Sequence, residues 1–224
     1  GEPKFKNTIL ENLIDVKEDG SFKLNMKYFN YATGLTMTNN KFSELFGEPV
    51  RNPKNEKLTQ FHMDIAASIQ SVTEEIIIKL TKSIAAEFKI KNLCLAGGVA
   101  LNCVANGKIL NNKIFENIWV QPASGDAGGS IGAALSFWFK ELGNKRDYYK
   151  DEMSGSFLGP SFSNNRIEKD LKNLNANFDK FEDNELLPKL AKELSQNKII
   201  GWFQGRMEFG PRALGARSIL ANPL

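Results

Sequence analysis

The sequence predicts an α/β fold, because twice along the chain a short apolar segment ends in a glycine-rich turn that runs into a helix. Residues 92–96 and residues 116–120 are the apolar segments, and we predict that both are buried strands. Helices at about 100–111 and 127–142 are predicted to follow them. A strand, a turn and a helix in succession, found twice, indicate an α/β arrangement with ligand space beyond the strand ends.

The other elements are predicted from periodicity and from turn-forming residues. Asp19 and Gly20 mark a turn, and the alternating apolar residues after them predict a strand over 22–26. Apolar residues at every third or fourth position predict a long amphipathic helix over 58–88. Shorter elements are also predicted: a helix and loop within 38–57, helices at 164–174 and 184–197, and a strand at 198–203.

A stretch rich in charged residues, serine and glycine divides the chain between residues 143 and 160. Such a composition is typical of a domain boundary. We therefore predict a first domain over residues 1–145, a linker over 146–160 and a second domain over 161–224.

The composition excludes several classes of protein. Of 224 residues, 42% are hydrophobic and 25% are charged, which suffices for a packed core and excludes a disordered chain. The formal net charge of +3 is too small to predict nucleic-acid binding. Two cysteines exclude a disulfide-stapled secreted fold, and one histidine excludes a two-histidine site within this chain. No apolar run reaches the length of a membrane span, and none follows the basic residues at the N-terminus as it would in a signal peptide, so we expect a soluble cytoplasmic protein.

His62, Cys94 and Cys103 are expected to have structural roles. His62 stands at the start of the long helix, where a hydrogen-bonded structural histidine is more common than a catalyst. The two cysteines are spaced for neither a disulfide nor a metal motif. We expect Cys94 to be a small, buried apolar side chain.

The first candidate site is the turn at Gly97 and Gly98. Glycines after a strand permit a positive φ and let a ligand approach the backbone, and the helix that follows directs free N–H groups at that ligand. Asn102, about one turn into the helix, is placed to bond the same ligand. On spacing alone, a plain tight turn explains the pattern equally well.

The second candidate site is Asp126, at the start of the next predicted helix. Its carboxylate suits a metal ion or a phosphate-bound cation, although a helix N-cap explains it at least as well. Glycines crowd this helix start, which indicates that backbone or a ligand lies close to it. Helix–helix packing would explain Gly128, Gly129 and Gly132 in the same way.

The third candidate site is the arginine segment, residues 205–218. Arg206, Arg212 and Arg217 are interleaved there with glycines. Guanidinium groups bind phosphate or carboxylate at two points, so the segment predicts an anion site. A solvated basic loop is the alternative. We favour the anion site because four apolar residues are expected to anchor the segment against a core: Met207, Phe209, Leu214 and Ile219.

Taken together, residues 97–107, 122–134 and 205–215 resemble the O-carbamoyltransferases of nodulation-factor and antibiotic biosynthesis. Residues 61–70 and 157–160 support the resemblance. It covers nearly the whole chain with the motifs in the right order, which makes it far more specific than any single motif.

The resemblance implies an enzyme of two domains. The first is of the actin/Hsp70-like type (ASKHA, Kae1-like), similar to the universal tRNA threonylcarbamoyl-transfer protein, and the second is YrdC-like. Residues 1–145 would then be the C-terminal half of the Kae1-like domain, and residues 161–224 the N-terminal part of the YrdC-like domain. The His-x-x-x-His motif of the family is absent from these residues, so we expect a central fragment that is inactive alone.

The activity that the resemblance implies is carbamoyl transfer. ATP and carbamoyl phosphate give a carbamoyl-adenylate, and the carbamoyl group then passes to a hydroxyl of a sugar-like or secondary-metabolite acceptor in a domain that binds iron (Fe²⁺). The expected partners are therefore small molecules. Residue by residue, the resemblance assigns nucleotide binding to Gly97, Gly98, Asn102 and Arg206, with Arg212 and Arg217 as weaker matches, and metal binding to Asp126.

Two other functions remain open from the sequence. A sugar kinase of the same superfamily would use the Gly97–Gly98 turn equally well, but it would not need the arginine segment. A non-catalytic nucleotide-binding module is the other alternative, and the presence of Asn102, Asp126 and Arg206 argues against it.

Overall fold

The computed structural model describes residues 1–147, 150–151 and 153–223, which fall into two compact units. The first unit comprises Gly1–Cys94 and Asn102–Trp119, and the second comprises Leu95–Leu101 and Val120–Leu224. The mixed content of helix and strand agrees with the predicted α/β class. The predicted boundary at 146–160 stays a prediction, and residues 148, 149 and 152 within it, like residue 224, lie outside the described residues.

Helices and strands alternate along the chain. The helices are α1 Lys6–Asn12, α2 Asn40–Phe46, α3 Gln60–Phe88, α4 Cys103–Asn111, α5 Asp126–Ser136, α6 Asn164–Asn173 and α7 Asp183–Ser195. The strands are β1 Ile14–Val16, β2 Phe22–Leu24, β3 Asn92–Leu95, β4 Asn117–Val120, β5 Ile200–Phe203 and β6 Arg217–Leu220. Short 3₁₀ turns occur at Met26–Tyr28, Gly98–Leu101 and Ser154–Ser156, and a π-helical turn at Phe137–Glu141.

The described strands pair as three two-stranded sheets: β1 with β2, β3 with β4, and β5 with β6. The first and third pairs are antiparallel. The β1–β2 hairpin turns at Gly20, where φ is +87°, and the Ser21 N–H donates to the Asp19 carboxylate at 2.9 Å. The predicted turn at Asp19 and Gly20 is therefore confirmed.

The core of the first unit lies where α1 and the β1–β2 hairpin pack with the long helix α3. Val72 and Ile76 are one helical turn apart on the apolar face of α3, which the sequence periodicity predicted. Phe5 adds edge-on ring contacts to Phe46 and Phe61. The buried residues of this core are Ile9, Leu13, Ile14, Tyr28, Phe46, Val72 and Ile76.

Polar contacts at the start of α3 fix its N-terminus and the first residues of the chain. The backbone N–H of Thr59 donates to His62 Nδ1 at 3.1 Å, and the two residues form a reciprocal capping box. The structural role expected for His62 is thus confirmed. The buried carboxylate of Asp64 accepts from the Glu2 N–H at 2.8 Å and pairs with Lys4 at 2.9 Å.

The strands that flank the first glycine turn differ from the prediction in burial. Both β3 and β4 are alternately exposed and half-buried rather than buried. Cys94 is exposed, so the expectation of a buried side chain was wrong. The reason is that, within the described residues, each of these strands has one partner strand and one free edge.

Two predicted helices have different extents. The helix predicted from residue 100 begins at Cys103 and follows a 3₁₀ turn, while the helix predicted over 127–142 ends at Ser136 and continues as a π-helical turn. In the described part of the chain, no helix combines the length and apolar character that crossing a membrane would require.

Candidate functional site

In the second unit, the first and second glycine-rich segments are joined by a direct hydrogen bond. Gly97 has a φ of +100°, and its N–H donates to the Ser124 carbonyl at 2.7 Å. Two positions earlier, the Leu95 carbonyl accepts from the Gln121 N–H at 3.1 Å. The turn after β3 and the loop before α5 therefore lie side by side. The positive φ at residue 97 is a backbone conformation that favours glycine.

The arginine segment packs against the same loop. Gly210 has a φ of +124°, and a Cβ atom there would lie 2.9 Å from the Pro122 carbonyl oxygen and 3.3 Å from Ala123 Cβ. Only a residue without a side chain permits this approach. Gly97 and Gly210, which are far apart in sequence, thus both contact the Pro122–Ser124 loop. Ala123 and Ser124 of this loop are buried.

Asp126 is the first residue of α5, and the N-cap position belongs to Gly125. The N-cap of this helix therefore lies one residue before Asp126, the position that the alternative interpretation gave it. The carboxylate is exposed, and among the described residues it has no hydrogen-bond or ion-pair partner. An anion at this position is favoured by the partial positive charge of the helix start.

The glycines of α5 do not all have the same reason to be there. A Cβ atom at Gly128 would overlap the Ala123 carbonyl oxygen, so the helix approaches its own preceding loop at this point. Gly129 and Gly132 face open space, with no atom within 4 Å of a Cβ built there. The crowding predicted from the sequence is present at Gly128, and it comes from the chain's own backbone.

The residues around Asp126 do not form a metal centre by themselves. Within residues 1–147, 150–151 and 153–223 there is no group of three or more His, Cys, Asp or Glu side chains that could hold a metal ion. Asp126 offers one carboxylate, whereas a protein metal site takes three or more ligands. Within the described residues, an ion at Asp126 therefore lacks a full set of ligands of these four residue types.

Asn102, in the first unit, caps α4. Its side-chain oxygen accepts from the Ala105 N–H at 3.2 Å, as an N-cap residue does. Its amide also pairs reciprocally with the amide of Gln70, at 2.9 and 3.1 Å. Gln70 in turn donates to Glu74, which pairs with Lys108. These contacts give Asn102 a structural role between α3 and α4, and nucleotide binding by Asn102 stays a prediction.

Arg206 lies beside an open pocket in the second unit. One of its guanidinium nitrogens donates to the Gly159 carbonyl at 3.0 Å, while most of the side chain is exposed. The pocket has a volume of about 350 Å³. Its lining residues are Phe157, Gln204, Gly205, Arg206, Leu214, Gly215 and Ala216.

Residues 156–160 hold the arginine segment in place through its backbone. The Gly159 N–H donates to the Met207 carbonyl at 2.9 Å, and the Met207 N–H donates to the Pro160 carbonyl at 3.0 Å. The Phe209 N–H donates to the Ser156 carbonyl at 2.7 Å. Residues 157–160, a supporting part of the resemblance, therefore contact the third motif directly.

The three arginines of this segment differ in what they contact. Arg212 is exposed, and no ion pair of its side chain occurs among the described residues. Arg217 is half-buried and pairs with Glu208: Arg217 Nε lies 3.0 Å from the Glu208 carboxylate, and Nη2 lies 3.0 Å from the Glu208 carbonyl. Arg206 and Arg212 thus keep exposed charge, whereas the charge of Arg217 is matched inside the protein.

Glu208 is the residue of this segment that sequence reasoning missed. Its side chain is fully buried, and one carboxylate oxygen accepts from the N–H groups of Leu214 at 2.7 Å and Ala216 at 2.8 Å. Burial acts to raise the pKa of this carboxyl, but the hydrogen bonds from Leu214, Ala216 and Arg217 lower the pKa to about 2. The sequence feature that could have identified Glu208 is that it is the one acidic residue among the arginines and glycines of residues 205–218.

The anchoring expected for this segment was partly wrong. Leu214 is 50% exposed and Ile219 is 81% exposed, so neither anchors the segment in a core. Met207 and Phe209 are half-buried, and the buried positions are Glu208 and Ala216. A saturated carboxylate, rather than an apolar cluster, holds the segment together.

Two family models describe this chain. The model of the carbamoyltransferase N-terminus matches residues 1–135, and the model of the carbamoyltransferase C-terminus matches residues 191–224. The first match alone covers more than half of the 224 residues. The matches include the Gly97 turn, the Pro122–Ser124 loop and the arginine segment.

Relatives of known sequence agree with the family models. Over its whole length the chain is 58% identical to the uncharacterized protein sll1178 of Synechocystis sp. and 34% identical to the nodulation protein NolNO of Sinorhizobium fredii. It is 40% identical over 171 residues, 76% of the chain, to the nodulation protein NolO of Bradyrhizobium diazoefficiens. The chain spans only 37%, 31% and 31% of the lengths of these three relatives. With both ends of the sequence matched by models of one family, this chain belongs to the carbamoyltransferases.

Proposed function

We propose that the protein that carries this chain is an ATP-dependent O-carbamoyltransferase. Family membership supports transfer of a carbamoyl group. The observation that supports the ATP-dependent mechanism is that Gly97 and Gly210 both contact the Pro122–Ser124 loop. Segments that lie side by side are placed to bind one nucleotide intermediate together, which supports a reaction in two steps.

In this proposal, hydrolysis of carbamoyl phosphate releases phosphate and carbamate, and a carbamate oxygen attacks the α-phosphorus of ATP, which gives a carbamoyl-adenylate and releases pyrophosphate. A hydroxyl of a sugar-like or secondary-metabolite acceptor then attacks the carbamoyl carbon. The bond from that carbon to the oxygen of the AMP phosphate breaks, AMP leaves, and the hydroxyl proton passes to water. Gly97 and Gly98 are proposed to let the intermediate approach the backbone. The space beside them is open, since a Cβ built at either position meets no atom within 4 Å apart from its chain neighbours. Backbone N–H groups at this turn, other than those of Gly97 and Ala100 that are bonded within the chain, are proposed to stabilise the charge of the departing phosphate.

Arg206 is proposed to bind the nucleotide during formation of the adenylate. Its exposed guanidinium and the neighbouring Gly205 line the open pocket, where a phosphate would meet a positive charge and unobstructed backbone. Arg212 is a second exposed cation of the same segment.

Asp126 is proposed as one ligand of the iron that the family resemblance implies. Its carboxylate is exposed and has no partner among the described residues, which supports this role, and we propose that the remaining ligands come from outside the 224 residues. For the same reason we propose that the chain is inactive alone. We further propose that the N-terminal domain has the ASKHA, Kae1-like fold and the C-terminal domain the YrdC-like fold.

The test is to identify the nucleotide products. The protein that carries this chain is given ATP, carbamoyl phosphate and Fe²⁺, and the products are separated by chromatography and identified by mass. A carbamoyl-adenylate, converted to AMP when a hydroxyl acceptor is added, supports the proposal. Release of ADP would instead identify a kinase, and bound ATP without turnover would identify a nucleotide-binding module.

A further inference from the structure

The segment from Phe209 to Ala216 is closed into a loop by one carboxylate. Glu208 precedes this loop, and its Oε1 atom accepts from Leu214 N at 2.7 Å, from Ala216 N at 2.8 Å and from Arg217 N at 3.3 Å. The same side chain uses Oε2 for Arg217 Nε at 3.0 Å. Both ends of the loop are therefore held by a single side chain.

The position of this loop matters for two neighbouring surfaces. Leu214, Gly215 and Ala216 form one wall of the pocket beside Arg206. Gly210, on the other arm of the loop, rests on Pro122 and Ala123. Loosening of the loop would disturb both the pocket wall and the contact with the Pro122–Ser124 loop.

We propose that Glu208 is a positioning residue that holds this loop, with Arg217 as its internal counter-ion, so that Arg206 and Arg212 alone offer charge to the nucleotide. This proposal rests on the proposed function, in which the pocket binds ATP. It removes Arg217 from the nucleotide ligands, because two of its guanidinium nitrogens are already bound by Glu208. Arg217 and Glu208 then act as one unit.

The substitution Glu208→Gln separates the parts of this arrangement. It keeps an oxygen for the N–H groups of Leu214 and Ala216, but it places an N–H₂ group opposite Arg217 Nε, where two donors cannot pair. Arg217→Gln removes the partner from the other side. Arg206→Gln is the matched control, since it removes an exposed arginine of the same segment without touching Glu208.

Two readouts distinguish positioning from direct binding: hydrogen exchange of peptides covering residues 209–217, and the Kd for ATP measured by calorimetry. In the protein that carries this chain, Glu208→Gln and Arg217→Gln should each raise exchange by about tenfold or more, because each removes a charge-assisted hydrogen bond. Each should also weaken ATP binding, and the double variant should be no worse than either single variant. Arg206→Gln should weaken ATP binding and leave exchange unchanged.

Several results would overturn the proposal. If Arg217→Gln weakens ATP binding while exchange stays slow, and adds to Glu208→Gln, then Arg217 is a nucleotide ligand. Exchange that stays slow in both variants would show that Glu208 does not hold the loop. Should Glu208→Gln fail to fold, Arg217→Lys replaces it, because lysine keeps the charge without the forked donor. Faster exchange over residues 209–217 in this variant supports the proposal, and exchange that stays slow contradicts it. A protein that binds no ATP at all would contradict the proposed function, and the exchange readout would still decide the role of Glu208.

Discussion

Replacing Gly210 by alanine tests whether the arginine segment rests on the Pro122–Ser124 loop. The new Cβ atom would lie 2.9 Å from the Pro122 carbonyl oxygen, and φ at this position is +124°. Gly215, five positions later in the same segment, is the matched control, because its φ is +106° but nothing lies within 4 Å of a Cβ built there. The two substitutions share the backbone strain and differ in the contact.

The magnitude follows from that difference. A φ above +100° costs a residue with a side chain about 1–3 kcal/mol, and both variants bear a cost of this kind. Forced overlap in a packed region adds about 1–3 kcal/mol, which Gly210→Ala alone should bear. The difference between the variants is therefore about 1–3 kcal/mol in the free energy of unfolding, or a few degrees in Tm.

The assay is chemical denaturation of the protein that carries this chain, with both variants measured under the same conditions. The midpoint should fall further for Gly210→Ala than for Gly215→Ala, at an unchanged denaturant slope. Equal midpoints would refute the close approach of residue 210 to the loop, and with it the argument that three distant motifs share one site.

Further predictions concern the first unit. Asp64 has its pKa lowered to about 2, chiefly by the hydrogen bond from the Glu2 N–H and then by Lys4, so its contribution to stability is full above pH 4 and is lost as pH falls towards 2. Asp64→Asn should abolish that part of the acid dependence, which urea midpoints measured between pH 2 and pH 6 would show; an unaltered profile would contradict it. Ile109, with 0% of its surface exposed, should lose about 2–5 kcal/mol of unfolding free energy on truncation to alanine. Leu110→Ala, at a neighbouring position that is 50% exposed, should lose clearly less, and equal losses would contradict the burial of Ile109.

Periodicity and turn chemistry predicted the elements that depend on local sequence. The helix expected over 58–88 is α3 at Gln60–Phe88, and the turn at Asp19 and Gly20 joins β1 to β2. His62 has the hydrogen-bonded structural role that was expected, in a capping box with Thr59, because that interaction needs only residues three apart. Such elements are readable since their determining contacts are close in sequence.

Elements that depend on distant contacts were missed. Helix α1, Lys6–Asn12, has no side-chain cap and no strong periodicity, and it is held by packing against α3. Strand β6, Arg217–Leu220, begins in the last two residues of the arginine segment, which the sequence did not mark as a strand. The burial of Glu208 was not readable either, because the N–H groups that satisfy its carboxylate are brought to it only by the folded loop.

The sequence was enough to select the segments of the candidate site, but not to predict how they are arranged. Sequence reasoning marked the Gly97 turn, Asp126 and the arginine segment separately, and the structure adds that the first and third both contact the Pro122–Ser124 loop. The contacts of Arg206 and Arg217 differ for the same reason: identical side chains in one segment have different neighbours.

The most direct test of the central claim is to follow both steps of the proposed reaction in Asp126→Ala and Arg206→Gln variants of the protein that carries this chain. Carbamoyl-adenylate and AMP are quantified together over time, with ATP, carbamoyl phosphate, Fe²⁺ and a hydroxyl acceptor present. We expect Asp126→Ala to accumulate the adenylate without AMP release, and Arg206→Gln to form little adenylate. Unimpaired AMP release by the Asp126 variant would contradict the assignment of transfer to this site.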